Sequence, residues 1–366
     1  TTVRRTRQLM TAALELGSSS LQSLRREDDV LKSRTSRCVY AVLPDSPAHQ
    51  RLLEQCGLQF TTCEDGILLL GDGAFEHAEL FKSPCLPLMV GGRIPKCNPL
   101  VRQLISSLVE AILPIASNRN DICALTLPGG AAIDSSSEAR ADLEFYIRLV
   151  KLQGYEPKLV PASQALVLAE LVENAFTGIG IVFGASGCEA ILAHRGNPIC
   201  HAASDHGGEW IDRELAKKLY APSIDAADDS AAAETAQNFA PESLLSITLQ
   251  REQLKSAATI SGDDFTKHVE SLLQETIFEL CDAFSSELIR SRRAKELPVP
   301  LPIVCGGGLI ETPGFGSILA GVLQEVNLPI EIQRPRLVTR SDRSIVRGLL
   351  ISAELEATSR PAGRAA

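Results

Sequence analysis

Residues 178–203, GIGIVFGASGCEAILAHRGNPICHAA, constrain the fold of this chain more than any other stretch. Their glycines suggest at first a dinucleotide-binding loop, which requires a strand, then the glycines, then a helix. Here the glycines lead into EAILA, then Arg195-Gly196-Asn197, then PICHA. That order is strand, turn, strand, turn, strand, and it disfavours a Rossmann unit. A strand–glycine turn–strand instead wraps backbone N–H groups around a concave space that suits a phosphate.

Two further glycine turns flank it, ELGSSS at 15–20 and CGGGLIETPG at 305–314. The runs AALEL at 12–16 and PLPIVC before Gly306 read as the strands that feed them. Singly each turn is weak, because glycine most often only makes a turn. Jointly they describe two facing hairpins that clasp phosphates, and a third turn, at a helix N-terminus, for the nucleoside side of a ligand.

The intervening sequence follows an α/β pattern. Residues 35–98 are rich in cysteine, proline and glycine and predict a small α+β subdomain. NPLVRQLISSLVEAIL has helical periodicity, ICALTLP is a buried strand, and 136–152 is a helix capped by Ser136 or Ser137. That helix carries Leu143, Ile147 and Val150 on one face, and PKLV follows as a strand. SDHGGEWIDRELAKKL predicts a helix with Trp210, Leu215 and Leu219 towards the core. Residues 221–240 read as a surface loop or weak helix, and 241–297 as a polar, helical inserted subdomain with a long helix over 264–291. A last helix is expected over about 342–355, before a disordered tail.

With 366 residues, two or three domains are expected. The net charge of −9 argues against nucleic acid, since phosphate-backbone binding needs a basic footprint. The ten cysteines show no CxxC spacing and several lie in apolar runs, so they read as buried thiols of a reducing compartment. No long apolar span or signal-peptide core is evident, and a cytoplasmic protein is expected. Arg4, Arg5 and Arg7 beside a short apolar run leave two readings: a solvated arm, or a helix making peripheral contact with a membrane. His201 and His206 have no helical-pair spacing and are not expected to bind metal.

With these turns in order, the chain resembles the actin superfamily and, within it, the bacterial MreB-like actins, over about residues 12–355. LELGSSS looks like the family's first phosphate loop and FGASG like its second; HGGEWID resembles the Gly-Gly-Asp/Glu helix opening and IVCGGGLIETPG the adenosine loop. The resemblance implies an actin-like ATPase fold: α/β, two RNase H-like lobes, each with a smaller inserted subdomain. Lobe I would be 1–166, with the subdomain 35–98, completed by 340–358; lobe II would be 167–339, with 220–298 inserted; 359–366 would be the tail. The chain would cross between lobes near Ala162–Leu166 and Arg336–Asp342.

ATP or ADP with magnesium would lie in the cleft, against Gly17, Ser18 and Ser19, Gly184, Ala185, Ser186 and Gly187, and Gly306, Gly307 and Gly308. Glu138 falls where the family polarises the attacking water, although a solvated carboxylate in a first helical turn reads equally well. Self-association, as filament or dimer, is the implied mode of action. Three departures weaken hydrolysis. Glu15 stands for the first loop's aspartate and would reach magnesium only through water. Val182 stands for the second loop's aspartate and can neither ligate metal nor orient water. Val160 precedes Pro161 where bacterial relatives carry glutamate. The Lys-and-Glu helix that touches the purine is not recognisable in 225–240. Two other readings remain: an active ATP-dependent enzyme such as an Hsp70-type ATPase or a kinase, and a nucleotide-free structural protein.

Overall fold

The structure is a computed structural model that describes residues 10–27, 30–58, 60–63, 66–96, 98–118, 120–128, 136–220, 241–255, 264–339 and 341–359. The basic N-terminal arm, the 221–240 stretch and most of the expected tail lie outside the described residues.

Two five-stranded sheets with the same topology organise the chain. In the first, the order is β3 (Val30–Arg37), β2 (Ser20–Glu27), β1 (Thr11–Leu16), β8 (Ile122–Thr126) and β9 (Glu156–Leu159). In the second it is β12 (Asn197–Ser204), β11 (Cys188–His194), β10 (Gly178–Phe183), β13 (Ile303–Gly306) and β14 (Arg336–Leu337). Each sheet has an antiparallel three-strand meander joined by two parallel strands. The central strands are near-continuous apolar runs because both their faces are covered. Each meander therefore presents its first turn, at 17–19 and at 184–187, at the corresponding place in its sheet.

Two helices run between the sheets. α5 (Ala162–Glu170) packs on β10, β11 and β13, and α10 (Ser341–Ser359) packs on β1, β8 and α5. One apolar core joins them to residues of both sheets, from Ala13 and Ile122 to Ile181 and Val304. The helices touch at Gly348, where an added Cβ would stand 1.7 Å from the Ala165 carbonyl oxygen. We expect Gly348→Ala to cost about 3 kcal/mol, the upper end for overpacking, because helix backbone must move. Urea unfolding checks this; a loss within ~0.5 kcal/mol would mean that the crossing is loose.

On the other face of the first sheet, α3 (Pro99–Ile112) and α4 (Ser137–Leu152) form a second core. Asn98 and Ser136 cap them, accepting from the amides of Leu100 and Ala139 at 3.1 Å each. The buried face of α4 is Ala139, Asp142, Tyr146, Leu149 and Val150, rotated from the expected one because Asp142 is drawn inward by Arg93 and Arg102. The small subdomain begins at Val39, since 35–37 belong to β3. It is a sheet of order β5 (Thr61–Cys63), β6 (Gly66–Leu70), β4 (Val39–Leu43), β7 (Leu86–Pro87), with α1 (Pro47–Gln55) and α2 (Asp72–His77).

The second sheet carries α6 (Gly208–Tyr220), α7 (Pro241–Leu254), α8 (Asp264–Arg290) and α9 (Phe315–Val326). α8 is no detached insertion: it packs on β11, β12 and α9 and buries Val269, Leu272, Leu273, Ile277, Leu280, Phe284 and Leu288 in the main core. On α6, Ile211, Leu215 and Ala216 are buried and Trp210 packs partly against the core, but Leu219 is exposed. Of the nine described cysteines, all free, six are buried; Cys56 is exposed, and Cys63 and Cys200 are half-buried. Among the described residues no helix is long and apolar enough to cross a membrane.

Candidate functional site

The three glycine turns converge between the two sheets. In the first, the Gly17 N–H donates to the Ser20 carbonyl at 3.0 Å, and the Ser19 carbonyl accepts from Cys38 at 3.0 Å. The second is closed by Gly184 N–H donating to the Gly187 carbonyl at 3.0 Å. The start of α6 is stitched to it, with the Gly208 and Glu209 amides donating to the Gly184 and Ala185 carbonyls at 3.1 and 2.7 Å. The third turn follows Gly306 and abuts the second. Gly307 has φ +96°, and a Cβ there would stand 2.3 Å from the Phe183 carbonyl oxygen, so only glycine fits. Turns two and three are thus one continuous wall.

A fourth segment enters the site, and nothing in the sequence pattern announced it. Val90 and Arg93 exchange backbone hydrogen bonds at 3.0 Å, which closes a tight turn around Gly91 and Gly92. Asp142 braces the turn, accepting from Arg102 at 2.9 Å and pairing with Arg93 at 3.4 Å. The Gly91 N–H donates to the Glu209 carboxylate across the cleft. Gly92, at φ +72°, lies so close to the second turn that a Cβ would meet Ser186 Oγ at 3.0 Å and Pro128 Cβ at 3.2 Å.

Glu209 is the titratable group at the centre. Burial pushes its carboxyl above the ordinary range, opposed by the Ser18 hydroxyl, the Gly91 amide and Arg213. Ser18 Oγ is itself buried and lies by Glu209 without a well-formed hydrogen bond. A buried hydroxyl and backbone N–H groups at glycine turns are the donor chemistry that a phosphate needs. In that respect the residues fit the phosphate groups of a nucleotide. For magnesium the fit is narrower: Glu209 inside the cleft and Glu15, half-buried at the end of β1. Val182 is buried in the core and offers nothing.

Glu138 stands in the first turn of α4 with its side chain half exposed, in an ion pair with Lys96. Glu189, opposite Val182 in the sheet, is also committed: it accepts from the Ser163 amide at the start of α5 at 2.6 Å and faces His201 at 3.2 Å.

The end of α7 brings a lysine beside the third turn. Glu252 and Lys255 stand at its C-terminal end, and Lys255 Nζ is 3.6 Å from the position of a Cβ on Gly308. Burial lowers the Lys255 pKa. Next to it, Arg251 reaches under Gly208 and forms a two-bonded pair with Asp212 at 2.6 and 3.0 Å. The outer end of the cleft is bridged by Leu245 of α7, which packs against the core of the small subdomain.

Comparison with known proteins bears on the fold. No curated protein matches the sequence. The MamK double helical filament superposes with TM-score 0.63 at 14% identity, covering 94% of this chain and 98% of that one. MreB5 of Spiroplasma citri bound to ADP gives 0.60 at 10% identity, covering 96% and 98%. The same protein bound to AMPPNP gives 0.61 at 11%, covering 96% and 97%. At such identities the likeness shows the fold, which is actin-like. The Volactin family model matches residues 10–353, nearly the whole described chain, and the protein belongs to the Volactin family.

Proposed function

We propose that this protein holds an adenine nucleotide between its two sheets, hydrolyses it weakly, and acts by assembling with copies of itself into filaments of a cytoskeletal kind. The observation that carries the reading is the convergence of three glycine turns on a buried Ser18 hydroxyl and the Glu209 carboxylate. Similar folds described as a double helical filament and as complexes with ADP and AMPPNP support it. Slow hydrolysis follows from Val182, because phosphoryl transfer depends on a metal clamp and a positioned water. The ion pair of Glu138 with Lys96 adds to this, since the carboxylate must leave its partner before it can orient water.

Calorimetric titration of ATP and ADP, with and without magnesium, tests the reading, together with electron microscopy of the same samples. Micromolar binding that gains modestly from magnesium, with polymers in nucleotide, is expected. Absence of binding would leave a structural protein, and absence of polymers under every nucleotide condition would remove the assembly role. Fast magnesium-dependent turnover, lost in Glu138→Gln, would make the chain a working ATPase.

A further inference from the structure

A second group of polar side chains lies outside the cleft, where the loop after β12 meets the middle of α8. Asp205, His206 and Glu279 each offer a ligand atom, and these atoms all lie within 4.8 Å of one another. Their orientation is built in. Ser204 Oγ donates to Glu279 Oε1 at 3.0 Å, which leaves Oε2 turned to His206 Nδ1. The His206 ring stacks on Trp210, with centroids 4.0 Å apart and planes at 13°. Its carbonyl accepts from the Cys188 thiol at 3.2 Å, so backbone and ring are both fixed. Nδ1 is shut off from solvent, and its approach to Glu279 does not form a proper hydrogen bond.

An imidazole nitrogen fixed among two carboxylates, with an outer hydroxyl orienting one of them, is a donor set for a divalent transition metal. Two carboxylates balance the charge of a dication, and solvent reaches the exposed side of Asp205 to complete the coordination.

We propose that Asp205, His206 and Glu279 bind one divalent transition-metal ion of the zinc or cobalt type. The ion ties the β12–α6 loop to α8. That loop leads straight into the Gly208 and Glu209 amides bonded to the second glycine turn, so occupancy steadies one wall of the cleft. The proposal stands independently of the nucleotide reading.

The test is titration of the purified full chain, free of nucleotide, with cobalt and then zinc, read by absorption and calorimetry. One equivalent is expected to bind with micromolar affinity, and the cobalt spectrum should lack the thiolate charge-transfer bands that a cysteine site would give. Glu279→Gln and His206→Asn should each weaken binding about tenfold or more. Glu279 is exposed, so its variant folds even if the stacked histidine proves structural. Unchanged affinity in Glu279→Gln, a thiolate-dominated spectrum, or no binding at all would reduce the group to a surface ion pair and overturn the proposal.

Discussion

Arg251→Ala will destabilise the half of the molecule built on the second sheet by about 3–5 kcal/mol. Arg251 and Asp212 are 4% and 2% exposed, so neither charge has water to fall back on. Burial works against the guanidinium charge, and the Asp212 carboxylate more than offsets it, holding Arg251 fully protonated. Among the described residues, truncation leaves the carboxylate one hydrogen-bond donor, the Thr248 hydroxyl at 2.7 Å. An uncompensated buried charge is the costly outcome, more than the lost attraction itself. The control is the pair replaced together: Arg251→Met with Asp212→Leu should recover most of the loss, because similar-sized apolar groups need no partner. Urea unfolding followed by circular dichroism reads all three proteins. A single variant that costs under ~1 kcal/mol would mean that water enters between α6 and α7.

The pair also bears on the site. Asp212 lies on α6, one turn after Glu209, and Arg251 lies on α7, one turn before Lys255. Through it, the helix that begins at the second glycine turn is fastened to the helix that ends beside Gly308. The single variant should therefore weaken ADP binding as well as stability, whereas a purely remote packing defect would change stability alone.

How much of this was legible in the sequence depends on distance along the chain. The β10–β12 meander could be read from 178–203 because strand, turn and strand all lie within one short stretch. The pairing of turns two and three was legible only through the resemblance, since the contact of Gly307 with Phe183 joins segments that are far apart. The Val90–Arg93 turn was missed because its role arises only when the small subdomain folds across to Glu209. Glu209 itself lay in a quoted motif, HGGEWID, but burial, which gives it its character, is not a local property. One miss did have a local signal. Leu273, Ile277, Leu280, Phe284 and Leu288 keep three- and four-residue spacing, which marks a core helix despite the polar residues between them. The cluster of Asp205, His206 and Glu279 had none, because α8 supplies its third member from far downstream.

Glu209→Gln should make the protein more stable at neutral pH and worse at holding a magnesium nucleotide. The sign follows from burial, which raises the Glu209 pKa in the folded state above its ordinary value of 4.5. Between 4.5 and that raised value the folded chain keeps a proton that the unfolded chain has released. The carboxyl's contribution to stability is therefore full below that window, falls as pH rises through it, and stays low above. Glutamine has no charge to desolvate and its oxygen can still accept from the Gly91 amide. Melting temperatures of the two proteins should converge towards pH 4 and separate by a few degrees at pH 7.5, with the variant higher.

The functional cost should run the other way. With Val182 apolar, Glu209 is the carboxylate placed among the glycine turns, and its removal should lower magnesium-dependent nucleotide affinity on the order of tenfold. Affinity measured without magnesium should change much less. This opposition, stability gained as function is lost, separates a charge held in place for a ligand from one that merely ties Gly91 to α6. A variant that is less stable at pH 7.5 and binds nucleotide as before would assign Glu209 to the clasp alone, and the phosphate side of the cleft would then rest on Ser18 and the backbone amides.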